Sequence, residues 1–180
     1  MHVDSLPTAN IFYLYNAMTI RNATPSDITI IQDLAEKTWW PTYAPILNNE
    51  QIRYMLNLIY STEALTRVME DGSQQFILLA DERGDQAFAA YGARKEEKFV
   101  SKLHKIYVLP DNQGKGYGKV LINEVIQRIQ KENNRALDLN VNRYNPAISF
   151  YEKMGFTVIR EEDIAIGPYW MNDFVMRKVI

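Results

Sequence analysis

Cysteine is absent from this chain of 180 residues. With it go any disulfide framework, any thiol nucleophile and every zinc site built on thiolate. Histidine is nearly absent as well: His2 and His104 stand too far apart in sequence to act as an HExxH ligand pair, so no metal is expected. No window approaches the roughly 20 apolar residues that a bilayer span requires. The first twenty residues also lack a basic region followed by a clean apolar run. The expectation is a cytoplasmic chain with no membrane partner. Charge of one sign is lacking too: 20 basic against 22 acidic side chains leave a net charge of −2, which argues against a protein that neutralises many nucleic-acid phosphates. Internal repeats, low-complexity tracts and long Pro/Gly/Ser linkers are missing, so a single domain is expected.

What is present is an ordinary globular share of apolar residues, 47%, which rules out a disordered chain. The apolar pentapeptide Ile11-Phe12-Tyr13-Leu14-Tyr15 precedes the first convincing element. It reads as an extra edge strand, a homodimer contact or a mobile tail. Residues 1–17 are therefore taken as an N-terminal extension and 18–180 as the domain. Met18 to Arg21 alternates as a strand, and Thr24-Pro25-Ser26-Asp27 reads as N-cap, first-turn proline and acidic first turn of a helix reaching about Lys37. Trp39-Trp40-Pro41 is expected to end it. Helical periodicity marks Asn49–Tyr60 and Ser61–Asp71. Gln75–Asp81, Ala87–Arg94 and Lys102–Leu109 form a three-strand meander whose first turn is Glu82-Arg83-Gly84-Asp85. A helix with the apolar face Leu121, Ile122, Val125, Ile126 and Ile129 follows a glycine-rich stretch. Ala136–Val141 is a strand, Asn145-Pro146 opens a short helix closed by Met154-Gly155, and Phe156–Arg160 and Phe174–Ile180 are closing strands. This order predicts an α/β (α+β) fold: a mixed, mostly antiparallel sheet of six or seven strands with helices on both faces.

The informative segment is Ile106-Tyr107-Val108 followed by Gln113-Gly114-Lys115-Gly116-Tyr117-Gly118 at the start of a helix. A strand–glycine loop–helix junction leaves backbone N–H groups unpaired at the positive end of a helix dipole, which makes an anion site with phosphate as the natural guest. Lys115 and Lys119 add positive charge. The spacing excludes a P-loop, because Gly118-Lys119 is followed by Val120 rather than Ser or Thr. It also excludes a Rossmann fingerprint, because the glycines read GxGxG. A tight turn without a ligand is the plainer alternative.

This loop resembles the Q/R-x-x-G-x-G/A loop of the GNAT acetyltransferase superfamily. Asn145-Pro146-Ala147-Ile148-Ser149-Phe150-Tyr151 through Gly155-Phe156 resembles that superfamily's second motif, N-x-x-A-x-x-F-Y-x-x-x-G-F. The resemblance covers 18–180 and leans toward the spermidine/spermine N-acetyltransferase branch. It implies transfer of an acetyl group from acetyl-CoA, with coenzyme A as product and no metal, to a primary amine of a small molecule such as a polyamine. Protein N-terminal or lysine acetylation and a non-catalytic acyl-CoA-binding domain remain the alternatives.

The resemblance also implies the site. Gln113 to Gly118 would hold the pyrophosphate, Ile106, Tyr107 and Val108 would pair with the pantetheine arm, and Asn145 would bind that arm unless it is simply a helix N-cap. Tyr151 would touch the cofactor and act as general acid toward the leaving thiolate. For the base, His104 is the first candidate, placed by alternation on the strand face of Ile106 and Val108; Glu36 is the second. Trp39, Trp40, Tyr43, Tyr169 and Trp170, with Asp33 and Glu36 nearby, suit the walls of a cationic acceptor site. Core packing or a dimer interface explains the same aromatics.

Overall fold

The computed structural model describes residues 18–180. The pentapeptide at 11–15 and His2 lie outside them. Seven strands and five α-helices alternate as β1 (Thr19–Asn22), α1 (Ile28–Tyr43), α2 (Asn49–Tyr60), α3 (Thr62–Glu70), β2 (Gln75–Asp81), β3 (Gly84–Ala93), β4 (Val100–Val108), α4 (Tyr117–Lys131), β5 (Ala136–Asn142), α5 (Ile148–Lys153), β6 (Thr157–Ile166) and β7 (Tyr169–Val179). The strands form one sheet in the order β1-β2-β3-β4-β5-β7-β6. Every neighbouring pair is antiparallel except β4 and β5.

Helices cover both faces, and each has its own core. On one side α4 inserts Leu121, Ile122, Val125 and Ile129, all fully buried, against Ile77, Leu79, Ala89, Leu137 and Leu139. These are the positions that the 3.6-residue period marks, with Ile126 at the rim. On the other side α1 and α2 bring Ile31, Leu34, Trp39, Ile52 and Met55 onto Phe76, Leu78, Phe88 and Ala90. Side chains of this size contribute roughly 1.5–3 kcal/mol each on burial, so two continuous clusters fix the sheet between two helical layers.

Helix starts follow the local chemistry. Asp27 Oδ2 accepts the Thr24 N–H at 2.8 Å, and Asn48 Oδ1 accepts the Gln51 N–H at 2.8 Å. Two expectations need correction. First, α1 does not stop at Trp39-Trp40-Pro41 but runs through Pro41 to Tyr43. Proline this close to a C-terminus removes a single intrahelical bond, and the burial of Trp39 and Tyr43, one turn apart on the core face, holds the last turn in place. Second, the closing strands are longer than expected. β6 and β7 form a hairpin turned by Gly167-Pro168, with Gly167 at φ +58°, a two-residue turn whose first position favours glycine. The run Glu161-Glu162-Asp163 lies beyond the expected strand Phe156–Arg160 and continues β6. It is the charged edge of the sheet, where charges keep an open strand from pairing with another chain.

Candidate active site

The sheet contains a built-in opening. β4 and β5 pair only from Val100↔Ala136 to Leu103↔Leu139, although β4 continues to Val108 and β5 to Asn142. The break coincides with a β-bulge: Ala90 faces Lys105 and Tyr91 faces Leu103, so His104 has no partner on β3. A bulge bends its strand and adds twist, and here it carries the end of β4 away from β5. The Leu109 N–H bonds back to Gln86 of β3 at 3.0 Å. Strand alternation therefore points the N–H groups of Val108 and Ile106 into the gap and that of Tyr107 toward β3. Of the three residues expected to pair with the cofactor arm, two offer backbone donors, and Tyr107 instead turns its ring into the α1/α2 core.

A cavity of about 970 Å³ fills the opening. Its walls are β4 from Leu103 to Val108, β5 from Leu139 to Val141, the glycine loop, α5, and the end of α1 from Thr38 to Tyr43 with Pro45 and Ile46. Lys105, Lys119 and Lys153 line it, and among the described residues no Asp or Glu does.

The loop is shaped by positive-φ backbone at Gly114 (φ +75°) and Gly116 (φ +92°), and a Cβ at either would meet nothing within 4 Å. Both keep backbone accessible to a guest. Gly116 is the N-cap of α4, so the first-turn N–H groups of α4 face the cavity mouth without intrahelical partners. Gly118 has a different role from the one expected: its Cβ would come 3.1 Å from Phe150, so this glycine lets α4 pack on α5. Gln113 folds inward and donates Nε2 to the Val108 carbonyl at 3.2 Å. Lys119 lines the cavity, whereas Lys115 does not.

Sequence reading missed how the loop is held. Tyr117 points away from the cavity, and its hydroxyl donates to Asp81 Oδ2 at 2.7 Å. Arg83 bonds the same oxygen at 2.5 Å and donates to Asn112 Oδ1 at 2.7 Å, while Asn112 Nδ2 donates to Gln86 at 2.8 Å. The Arg83 guanidinium, followed by the Tyr117 hydrogen bond, lowers the Asp81 carboxyl to about 2 against the opposing effect of burial. The β2–β3 turn thus grips the loop on both sides, through Asn112 before the glycines and Tyr117 after them. The partners lie 26 to 36 residues apart, beyond the reach of any local signal.

Tyr151 sits on α5 facing the cavity, its ring 5.3 Å from that of Phe150 and 6.0 Å from that of Phe156. Its hydroxyl makes no hydrogen bond among the described residues. Burial, then the neighbouring Tyr43 hydroxyl, pushes its pKa above the ordinary phenol value, so it keeps its proton at neutral pH. Asn145 serves in part as the cap it resembles: Oδ1 accepts the Ala147 N–H at 2.9 Å, and the residue also lines the cavity.

The expected base is placed differently. His104 lies on the face of Lys102 and Lys105, its Nε2 3.6 Å from where a Cβ on Gly92 of β3 would stand. It does not share a face with Ile106 and Val108, because the bulge interrupts the alternation on which that expectation rests. Burial first, then the charges of Lys105 and Lys102, push its pKa down to about 3. An imidazole so depressed is neutral and weakly basic.

Of the aromatic candidates, Tyr43 alone lines the cavity, its hydroxyl 3.4 Å from that of Tyr107. Trp39 is core and donates to the Tyr60 hydroxyl at 3.2 Å. Trp40 donates to Glu36 at 2.6 Å on the exposed face of α1, and Asp33 pairs with Lys37 on the helix surface. Tyr169 stacks near Tyr54, and Trp170 is 60% exposed on the hairpin. These side chains stand outside the cavity.

A split sheet, a glycine loop at a helix N-terminus and a buried phenol share one cavity, an arrangement suited to a transferase whose group donor carries phosphate. The acetyltransferase (GNAT) domain family matches residues 43–172, and the chain belongs to that family. It is an acetyl-CoA-dependent N-acetyltransferase. It is similar to the spermidine N(1)-acetyltransferase of Thermoplasma acidophilum, with 27% identity over 90% of this chain and 97% of that protein. The crystal structure of PaiA N-acetyltransferase from Thermoplasma acidophilum in complex with coenzyme A superposes with a TM-score of 0.77 at 27% identity, covering 91% of this chain and 99% of that one. An uncharacterized N-acetyltransferase of Methanocaldococcus jannaschii is 40% identical over 43% of this chain, a match spanning 32% of that protein's length.

The residues present fit such a carrier. Gly114 and Gly116 leave space where phosphate oxygens need backbone donors, the lining cations are lysines, and no lining carboxylate among the described residues opposes an anion.

Proposed function

We propose that the chain moves the acetyl group of acetyl-CoA directly to a primary amine of a small molecule, with polyamines as the leading class. The observation that carries this reading is a single cavity joining three groups: the α4 N-terminal loop, the unpaired β4 backbone and the Tyr151 hydroxyl. When bound, acetyl-CoA supplies the activated thioester.

The loop from Gln113 to Gly118, with Lys119, holds the carrier's phosphates. Asn145 anchors its arm. One of the two gap-facing N–H groups of β4, at Ile106 or Val108, donates to the thioester carbonyl oxygen, where charge builds as the amine attacks, which is fixed-dipole stabilisation, and the other is left to pair with the carrier's arm. As the C–S bond breaks, Tyr151, protonated because it is buried, gives its proton to the departing sulfur; the attacking nitrogen enters as the neutral amine and releases its proton to solvent, from which the phenol is restored. The end of α1, through Thr38, Thr42 and Tyr43, closes the acceptor side to the size of a small molecule. The resemblance to a spermidine acetyltransferase supports the polyamine class. The domain is taken to occupy 18–180, with 1–17 as an extension.

The test is thiol release from acetyl-CoA against polyamines, amino acids, aminoglycosides and short peptides. The expected result is turnover with polyamines. Turnover confined to peptides overturns the small-amine reading, and thiol release with none of them overturns catalysis altogether.

A further inference from the structure

The cavity lining has three lysines and, among the described residues, no carboxylate. A cationic acceptor that enters it therefore needs an anion from just behind the lining. Two carboxylates near the gap are buried: Asp138, where β5 still pairs with β4, and Asp173 on β7. Asp138 is spent on structure, since Arg94 and Arg177 bond both its oxygens. Asp173 is not. It is 6% exposed, and its Oδ1 has no hydrogen-bond partner.

Several placements tie Asp173 to the acceptor side. On β7 it lies between Asn142 of β5 and Glu162 of β6. It shares a face with Met171, which packs in the α1/α2 core. Its charge acts on the hydroxyl of Tyr43, a cavity residue. Asn140 connects it to the cavity: this side chain lines the cavity, donates Nδ2 to Glu162 at 3.0 Å, and has an Oδ1 that is also buried without a partner. Two orphaned acceptors, one charged and one neutral, thus occupy neighbouring strands on one face. A buried polar group without a partner is costly and calls for a reason.

We infer that Asp173, with Asn140, is the counter-ion that receives the second, non-reacting ammonium of a diamine acceptor. The inference rests on the proposed transfer to a small amine and specifies its substrate class. An ammonium brings N–H donors that both orphaned oxygens lack. β7 is one strand spacing beyond the β5 edge of the gap, on the order of 5 Å, a reach that suits the two nitrogens of a short diamine and leaves a monoamine's single nitrogen at the gap. The specificity is built from charge at distance rather than from an aromatic cage.

The charged and titratable groups facing Asp173 are Lys102 on β4, Glu162 on β6, Arg143 after β5 and Tyr43 on α1, with the amide of Asn140 on β5. No salt bridge joins any of them to its carboxylate among the described residues, and Arg143 is engaged with Glu161 and Asp163. Burial raises the Asp173 carboxyl to about 6, against the opposing pull of the Asn140 amide. Affinity for a diamine should therefore fall as pH drops through about 6, where the carboxylate takes up a proton.

The experiment is calorimetric titration of spermidine, and separately of propylamine, into the coenzyme A-loaded full chain, for the parent and for Asp173→Asn. Asparagine keeps the shape and removes the charge. The expected result is a loss of about tenfold or more in spermidine affinity, a much smaller change for propylamine, and disappearance of the pH dependence near 6. The variant's thermal midpoint at pH 7.5 should equal or exceed the parent's, because an unpartnered buried charge is removed. Equal spermidine affinity in the two proteins, or no spermidine binding by the parent, overturns the assignment. So does a lowered midpoint with unchanged affinity, which would make Asp173 part of the framework. Thiol release judges the transferase reading separately, since these titrations read binding without turnover.

Discussion

The two ends of the cavity are built in different ways. The carrier end comes from one stretch of chain, Ile106 to Lys119, with α5 close by. Its geometry is largely backbone: two positive-φ glycines, a helix N-terminus and strand N–H groups with no strand opposite. The other end, proposed to take the acceptor, is assembled from the last turns of α1 and from Asn140 of β5, and its geometry is set by side chains. A backbone site tolerates change in most of its side chains but fails at a few positions. A side-chain site can be retuned residue by residue.

The sharpest way to break this contrast is at Tyr151, the proposed proton donor between the two ends. Tyr151→Phe removes only a hydroxyl, and acid–base assistance is worth about 10²–10⁴-fold. The turnover number should fall about a hundredfold with acetyl-CoA affinity unchanged, as read by steady-state kinetics beside calorimetry.

Next in size is Gly116→Asp, which sets a side chain at φ +92° and a carboxylate at the helix N-terminus. Backbone strain of about 1–3 kcal/mol, added to charge repulsion, should weaken acetyl-CoA binding by about thirtyfold or more. Unchanged affinity in a calorimeter would mean that the loop does not hold the phosphates.

Smaller effects are expected from the support behind the loop. Arg83→Ala removes the guanidinium that joins Asp81 to Asn112, and Arg83 itself does not line the cavity. Acetyl-CoA affinity should fall several-fold, up to about tenfold, through loss of preorganisation, and the acceptor KM should not move. A variant whose acceptor KM moves and whose cofactor affinity does not would erase the distinction between the two ends. Smallest of all is Trp170→Ala. Its ring stands in solvent on the hairpin, and KM values for both substrates should stay within about twofold, the scale of surface substitutions.

The same contrast explains what was legible in the sequence. The α4 core face, the helix starts at Thr24 and Asn48, and the glycine loop are local patterns whose cause lies within a few residues, and each stands where its pattern puts it. Of the aromatic candidates only Tyr43 reaches the cavity, because an aromatic residue carries no mark of which side it will face. Trp39 and Trp40 are neighbours, yet one is buried in the core and the other half-buried at its rim, and Tyr43 reaches the cavity only because α1 continues past Pro41. Asp173 lies just outside the expected strand Phe174–Ile180, and its isolation follows from pairing with β5, 31 residues earlier. The Asp81–Arg83–Tyr117 grip is equally non-local.

His104 shows how much one residue can decide. Counted in twos from the start of β4, even numbers face α1; counted back from its end, odd numbers do, as Lys102 on one side of His104 and Tyr107 on the other make plain. The strand holds two incompatible alternations joined at a single supernumerary position. A chain one residue shorter there would have uniform parity, no reason to bend, and a β4 free to zip onto β5 along its whole length. Such a chain would keep the same strand order and both helical layers, with the slot between them closed. Deletion at this point is therefore not a loss of one imidazole but the exchange of an enzyme's scaffold for an ordinary sheet.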